Sequence, residues 1–450
     1  MKIYALLFVL MLFTMPFQTF AQKKEKPNAE ISKMLREVSA KSIENSIRKL
    51  VSFGTRNTLS EQDNPTRGIG AARDWIFAEF QKISSDCGNC LTVEKQTFLQ
   101  PKAARIPEPT NLTNVMATLK GTTNPERVYV VSGHYDSMCS SPTDAKCDAP
   151  GANDDASGTA AVIELARVMS KGKFDATIIF MTVPGEEQGL LGAAYFAQKA
   201  KDESMNIEAM FTNDIIGGVT SFKKAANRQT VRVFSEGVPS NETEQEANTR
   251  RGTGGENDSA SRQLARFIKE TADLYSPKFG VQMVYRRDRY LRGGDHIPFV
   301  ERGFSAVRFT EPNEDYDHQH QNVRTENGKF YGDTIEFVDF EYVANVTRIN
   351  AASLARLALA PARPKNAGMV TARLGNDTEI KWDAVAENDL GGYEIVWRDT
   401  TSAVWTNAQS VGNVTNFVLK GMSKDNYFFG VRAVDKNGNK SPVSYPKPVR

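Results

Sequence analysis

Five side chains scattered along this 450-residue chain are the types that a two-metal hydrolase site needs. They are His134 in SGHYDS, Asp154 in GANDDASG, Glu187 in PGEEQG, Asp214 in FTNDIIGG and His320 in DHQHQN. Two imidazoles and three carboxylates suit a pair of zinc ions. Paired ions need a ligand that bridges them, and a carboxylate can do so through its two oxygens. Glu186, beside Glu187, is left free to act as a base. Adjacent carboxylates repel and raise each other's proton affinity. A metal relieves this for one. The other keeps the affinity useful in a base that must later protonate an amine. The chemistry implied is metal-assisted attack of water on an acyl carbon.

Neighbouring residues extend the pattern. Asp136, two residues beyond His134, is placed to accept the second N–H of a metal-bound imidazole. Asp155 can cap a helix before Gly158 while Asp154 binds metal. The chain has only four histidines. His296 in GGDHIPF reads as a pocket wall or a support behind the ligands, or equally as a core or loop residue. His318 reads as exposed or as a similar support. Arg286, Arg287, Arg289 and Arg292 cluster before His296, as a solvated basic loop or as a source of one carboxylate-binding arginine.

Such a set needs rigid elements to present it. Val128 to Ser132 reads as a buried strand that delivers His134 at its carboxyl end. Thr177 to Val183 is a second, delivering Glu186 and Glu187. Ala209 to Asn213 is a third, delivering Asp214. Helices over 158–169 and 190–200 alternate with them. Open α/β sheets bind ligands at the carboxyl ends of their strands, so order and chemistry agree. Residues 30–51 and 71–83 read as helices, 91–98 and 114–119 as strands. A helix over 262–275, a strand over 305–309 and a closing helix over 337–359 complete this part. Residues 235–261 are polar and read as a long surface loop.

The motifs closely resemble those of the M28 metallopeptidases, the co-catalytic zinc aminopeptidase type, from about Ser42, through FGTRNTLS, to about Leu359. The resemblance implies a three-layer α/β/α exopeptidase domain with a mixed central sheet. It implies that His134 binds one metal, Asp154 bridges both and Glu187 binds one. Asp214 and His320 complete the set, with Glu186 as general base. The chain departs from the family near His320, where it reads HQNVRT with Arg324 in an acidic position. HQH followed by Thr325 favours His320 over His318. The activity implied is exopeptidase cleavage of peptide or protein substrates, aminopeptidase first. A carboxypeptidase or a one-zinc glutaminyl-cyclase-like relative are alternatives, as is a catalytically inactive secreted binding protein.

Bulk properties set the context. Fifty-six basic and 54 acidic residues nearly cancel, so no nucleic-acid-sized positive field is implied. MKIYALLFVLMLFTMPFQTFAQ reads as a signal peptide over 1–21, cut after Ala21, which implies a secreted or periplasmic protein without stable membrane insertion. Export permits disulfides, and the spacing of the four cysteines suggests Cys87–Cys90 and Cys139–Cys147. The exopeptidase domain is expected over 22–360, with a linker over 361–366. Alternating strands over 367–450, turned at Asn437-Gly438, resemble a fibronectin type III domain, a small all-β sandwich. It carries no catalytic cluster and reads as an independently folded module for a surface or polymer partner.

Overall fold

The computed structural model describes residues 25–218 and 228–450. The expected signal segment lies outside them. Eight strands form the central sheet: β1 (Leu91–Gln100), β2 (Thr110–Leu119), β3 (Asn124–His134), β4 (Ala176–Val183), β5 (Asn206–Asn213), β6 (Thr230–Phe234), β7 (Gly280–Val284) and β8 (Ala306–Thr310). Their order is β1-β2-β4-β3-β5-β8-β6-β7. The sheet is mixed. Adjacent strands β4, β3, β5 and β8 are parallel, while β1–β2, β2–β4 and β8–β6 pair antiparallel.

The sequence of β4, ATIIFMTV, has no alternation because both faces are covered, and all eight residues are buried. Ile178 and Phe180 face one core, Ile179 and Met181 the other. The first core packs helices α1 (Ala29–Arg36), α2 (Ala40–Val51), α3 (Gly68–Asp86), α4 (Ala156–Met169), α7 (Ala260–Tyr275) and α9 (Phe340–Leu359). The second packs α5 (Leu191–Asp202) and α8 (Ile297–Glu301). This is the expected α/β class with helices on both sides of a mixed sheet.

Two expectations change. The helix read over 30–51 is two helices. Ser39 caps the second with its side chain, and its own N–H reaches Glu164 Oε1 at 2.7 Å. The stretch 235–261 is not all surface loop. It holds α6 (Glu244–Thr253), started by a capping box between Thr243 and Glu246. Its flanks, Ser235, Asp258 and Ser259, are buried. Polar composition hid this burial, because these side chains are used in hydrogen bonds.

After α9 come a four-stranded and a three-stranded sheet. The first joins Gly368–Val370, Thr378–Lys381, Asn416–Leu419 and Lys447–Val449. The second joins Leu390–Asp399, Asn407–Gly412 and Tyr427–Asp435. Ile380, Trp382, Tyr393, Ile395, Phe429 and Val431 form their shared core. These sheets are anchored to the preceding part. Asp258, fully buried, accepts from Arg266 Nη1 at 2.9 Å and from Arg398 Nη2 at 2.8 Å. Trp405 Nε1 donates to Gln263 at 3.0 Å, and Arg127 pairs with Glu387 at 2.6 Å. Among the described residues no helix is long and apolar enough to cross a membrane.

Candidate metal centre

The four parallel strands converge on one place. His134 is the last residue of β3, and Glu186 and Glu187 follow β4 through Pro184-Gly185. Asp214 follows β5, and His320 lies in the segment after β8. Asp154 enters from the turn before α4, where a cis peptide joins it to Asp155. That turn lies tight on the sheet. A side chain at Gly158 would fall 2.2 Å from Asn213 O, so glycine is required there.

The five side chains form two groups that share one member. His134, Asp154 and Asp214 offer ligand atoms within 4.8 Å of one another, as do Asp154, Glu187 and His320. His134 Nε2 lies 3.1 Å from Asp154 Oδ1 and 3.8 Å from Asp214 Oδ1. His320 Nε2 lies 2.8 Å from Asp154 Oδ2 and 3.2 Å from Glu187 Oε2. The two oxygens of Asp154 thus face different imidazoles. His134 Nε2 and Glu187 Oε1 are buried without a hydrogen-bond partner. Buried polar atoms are rarely left so, and both belong to the two groups of candidate ligands. Borderline nitrogen and hard oxygen donors in three-residue groups match zinc.

Supports surround the set. Asp136 Oδ1 lies 3.4 Å from His134 Nδ1, and its carboxylate accepts the N–H of Glu186 at 3.3 Å and of Glu187 at 3.2 Å. Thr58, in FGTRNTLS, donates to Asp136 Oδ2 at 3.1 Å. Arg56 of the same motif is fully buried and donates to Tyr135 O and Gly151 O, tying the His134 and Asp154 segments together. Asp155 caps α4 through Gly158 N at 2.8 Å and accepts from His134 N at 3.1 Å. Leu190, Ile215 and His320 have φ of +61°, +60° and +53°, conformations that cost non-glycine residues on the order of 1 kcal/mol or more and cluster at functional sites.

Buried carboxylates crowd the centre and act on one another. Burial pushes Glu186 well above the ordinary carboxylate range, and Asp214, Glu187 and Asp295 push the same way. Burial opposes protonation of His320, but Glu187 and Asp154 raise it to about 11. Burial works against ionisation of Asp154, yet His320 and His134 hold it well below its usual value.

The other candidates fall as follows. His318 Nδ1 lies 2.8 Å from Asp315 and its ring stacks on Phe337, so it is no part of either group. His296 is buried but meets Arg287 O at 2.7 Å and Asp288 at 3.6 Å, not a ligand. Its partners thus lie in the 286–294 loop. Arg324 pairs with Glu326 at 3.0 Å in a hairpin. Both expected disulfides, Cys87–Cys90 and Cys139–Cys147, are present.

Sequence reasoning missed three contributors. Asp333 accepts from Asp154 N at 2.7 Å and Asn153 N at 2.9 Å, fixing the central ligand's backbone. Gln319 Nε2 donates to Asp154 Oδ2 at 3.0 Å. Arg308 places Nη2 3.0 Å from Asp214 Oδ1. Only Arg308 carried a local signal, as a charge inside the apolar strand AVRFT.

With this geometry in hand, comparison with known proteins is direct. Residues 114–336 match the model of peptidase family M28. A probable zinc metalloprotease of Leptosphaeria maculans is 50% identical over 422 residues, covering 94% of this chain and 98% of that protein. The chain belongs to peptidase family M28 and groups with its zinc metalloproteases. Among solved structures, LapB from Legionella pneumophila matches with a TM-score of 0.52 at 18% identity, over 74% of this chain and 75% of that one. An aminopeptidase from Aneurinibacillus sp. strain AM-1 matches with a TM-score of 0.51 at 16% identity, over 73% and 96%. These two likenesses concern the fold.

Proposed function

We propose that this protein is a secreted exopeptidase, an aminopeptidase, that holds two zinc ions and uses Glu186 as general base. The observation that carries this reading is the sharing of Asp154 by two three-residue groups, with Glu186 beside Glu187. His134, Asp214 and one oxygen of Asp154 would hold one ion; Glu187, His320 and the other oxygen would hold the second. Zinc bound there lowers the pKa of water toward neutrality and polarises a carbonyl.

The chain's own residues do the rest. Asp136 keeps the His134 ring aligned and fixes the backbone of both glutamates. Glu186 is not a member of either ligand group, so its carboxylate is available for proton transfer. It accepts a proton from the attacking water and returns it to the departing amine. Its raised proton affinity suits both steps. The C-terminal sheets, four strands against three, support the fibronectin type III-like reading of 367–450. A surface or polymer partner for this part remains part of the proposal, as do the boundaries 22–360 and 361–366.

The test is elemental analysis with turnover of free and N-blocked aminoacyl reporters. Two zinc ions per chain and cleavage of the free-amine reporters only are expected. Glu186→Gln should keep both ions and lose at least about two orders of magnitude in turnover. A stoichiometry of one would favour the cyclase-like reading, and cleavage of N-blocked substrates from the carboxyl end would favour a carboxypeptidase.

A further inference from the structure

The segment between β7 and α8 carries Arg286, Arg287, Arg289 and Arg292, and their partners separate them. Arg287 pairs with Glu301, and Arg286 lies over the Tyr290 ring. Arg289 donates to Glu314 at 2.9 Å and to Gly293 O at 2.8 Å. Arg292 donates through Nη1 alone, to Glu314 at 2.8 Å. Its Nε and Nη2 make no hydrogen bond among the described residues.

Arg292 shares its one carboxylate with two other guanidiniums. Glu314 meets Arg232 at 3.0 Å, Arg289 at 2.9 Å and Arg292 at 2.8 Å. Arg308 pairs with Asp214 and Asp288. Four guanidiniums (232, 289, 292, 308) form ion pairs with three carboxylates (214, 288, 314), and Glu186 and Asp295 also act on Arg308. Of the four side chains Arg292 is the most exposed, at 32% against 18%, 8% and 0% for Arg232, Arg289 and Arg308. Arg292 is the member of this network that faces solvent.

Its place is beside the metal centre. Arg308 donates through Nη1 to Gly293 O at 2.8 Å while its Nη2 lies 3.0 Å from Asp214. The residue after Arg292 is thus one guanidinium away from a candidate ligand. On another side, a side-chain atom at Gly293 would lie 3.9 Å from Leu190, three residues beyond Glu187. Tyr290, Leu291 and Tyr316 are exposed around Arg292, and Tyr316 lies 6.0 Å from its guanidinium.

We infer that Arg292 is a specificity residue that receives a carboxylate carried by the peptide substrate. A guanidinium with a free Nε–Nη2 edge matches a carboxylate in a two-point hydrogen-bonded pair. This inference rests on the peptidase reading above. The carboxylate has two sources, an acidic side chain or the C-terminus of a short peptide.

Full-length zinc-loaded protein, Arg292→Gln and Arg292→Lys would be compared on four substrates: leucyl anilide, glutamyl anilide, Leu-Leu and Leu-Leu amide. Arg292→Gln should raise KM about 10- to 100-fold for substrates with the recognised carboxylate and leave kcat and leucyl anilide cleavage unchanged. Arg292→Lys should recover part of this, since it keeps the charge but not the fork. Loss confined to glutamyl anilide identifies the side chain, and loss confined to Leu-Leu against its amide identifies the C-terminus. Equal losses on all four substrates would mean that Arg292 only braces the site through Glu314, which overturns the inference. Unchanged KM values in every variant would overturn it while leaving the peptidase reading intact. Failure of the wild type to cleave any reporter would overturn the peptidase reading and this inference with it.

Discussion

Arg308 lies 3.0 Å from Asp214 with both side chains almost wholly buried. A permanent cation therefore stands behind one candidate metal ligand. Burial resists ionisation of Asp214, but Arg308 overcomes it and holds the carboxylate below its usual range. Asp288 leans on the same guanidinium at 3.4 Å. Arg308→Met should strip Asp214 of its guanidinium, while Asp288 keeps Arg289 at 3.1 Å, and cost about 3–5 kcal/mol in metal-free protein. Zinc should restore part of this, because it binds the folded state and brings its own charge to Asp214. Denaturation with and without zinc checks it. Unchanged stability in metal-free Arg308→Met would refute the argument.

Asp136 touches three things at once: the His134 ring and the amides of Glu186 and Glu187. Asp136→Asn should weaken zinc binding about 10- to 100-fold, the usual effect of losing an outer support. Chelator competition measures this. The Thr58→Ala change, which removes one hydrogen bond to Asp136, should have a smaller effect in the same direction.

Zinc uptake should release protons. In metal-free protein His320 is raised to about 11, so it is protonated at neutral pH. A raised imidazole pKa adds stability that is fully present below the unfolded value, about 6.5. That stability is lost as pH rises through about 11. Asp154 is depressed, so its contribution is present above about 3.9 and is lost as pH falls. Metal must displace the imidazole protons. Zinc affinity should keep rising with pH well above 7, and calorimetry in two buffers of different ionisation enthalpy should detect about one to two protons released per chain. Binding without proton release would show that the imidazoles were already neutral.

A chain ending at Ala360 contains every proposed ligand. It also lacks Arg398, Trp405 and Glu387, which cover or pair with Asp258, Gln263 and Arg127. Truncation should destabilise the remainder by several kcal/mol, about 1–3 kcal/mol for each buried polar group left without a partner. Thermal unfolding of the two forms at equal zinc content decides this. Equal midpoints would mean that the contacts add nothing.

Most candidate ligands were legible because they follow an apolar strand or open a helix; His320, in a turn after β8, was legible only through the family motif. His134 after VYVVSG and the Glu186-Glu187 pair after TIIFMTV could be placed by pattern alone. The shared position of Asp154 was legible only through the family motif. Asp333 and Gln319 were not legible, because they act through backbone amides or across loops and no periodicity marks such contacts. Strands β6 and β7 were missed because each is short and only partly buried, unlike β8, whose five residues are all buried. Asp258 sat in a stretch that reads as solvated, and nothing local discloses that Arg398, 140 residues on, joins Arg266 in pairing with it.

That last carboxylate sets the geometry of any larger complex. A module on a flexible tether searches a volume, and its benefit falls as the tether lengthens. Here Asp258 is held from one side by Arg266 and from the other by Arg398, so the C-terminal sheets have no such freedom. A polymer gripped by those sheets would reach Glu186 at one fixed distance and angle. The C-terminal part would then set the spacing between such a polymer and the candidate site.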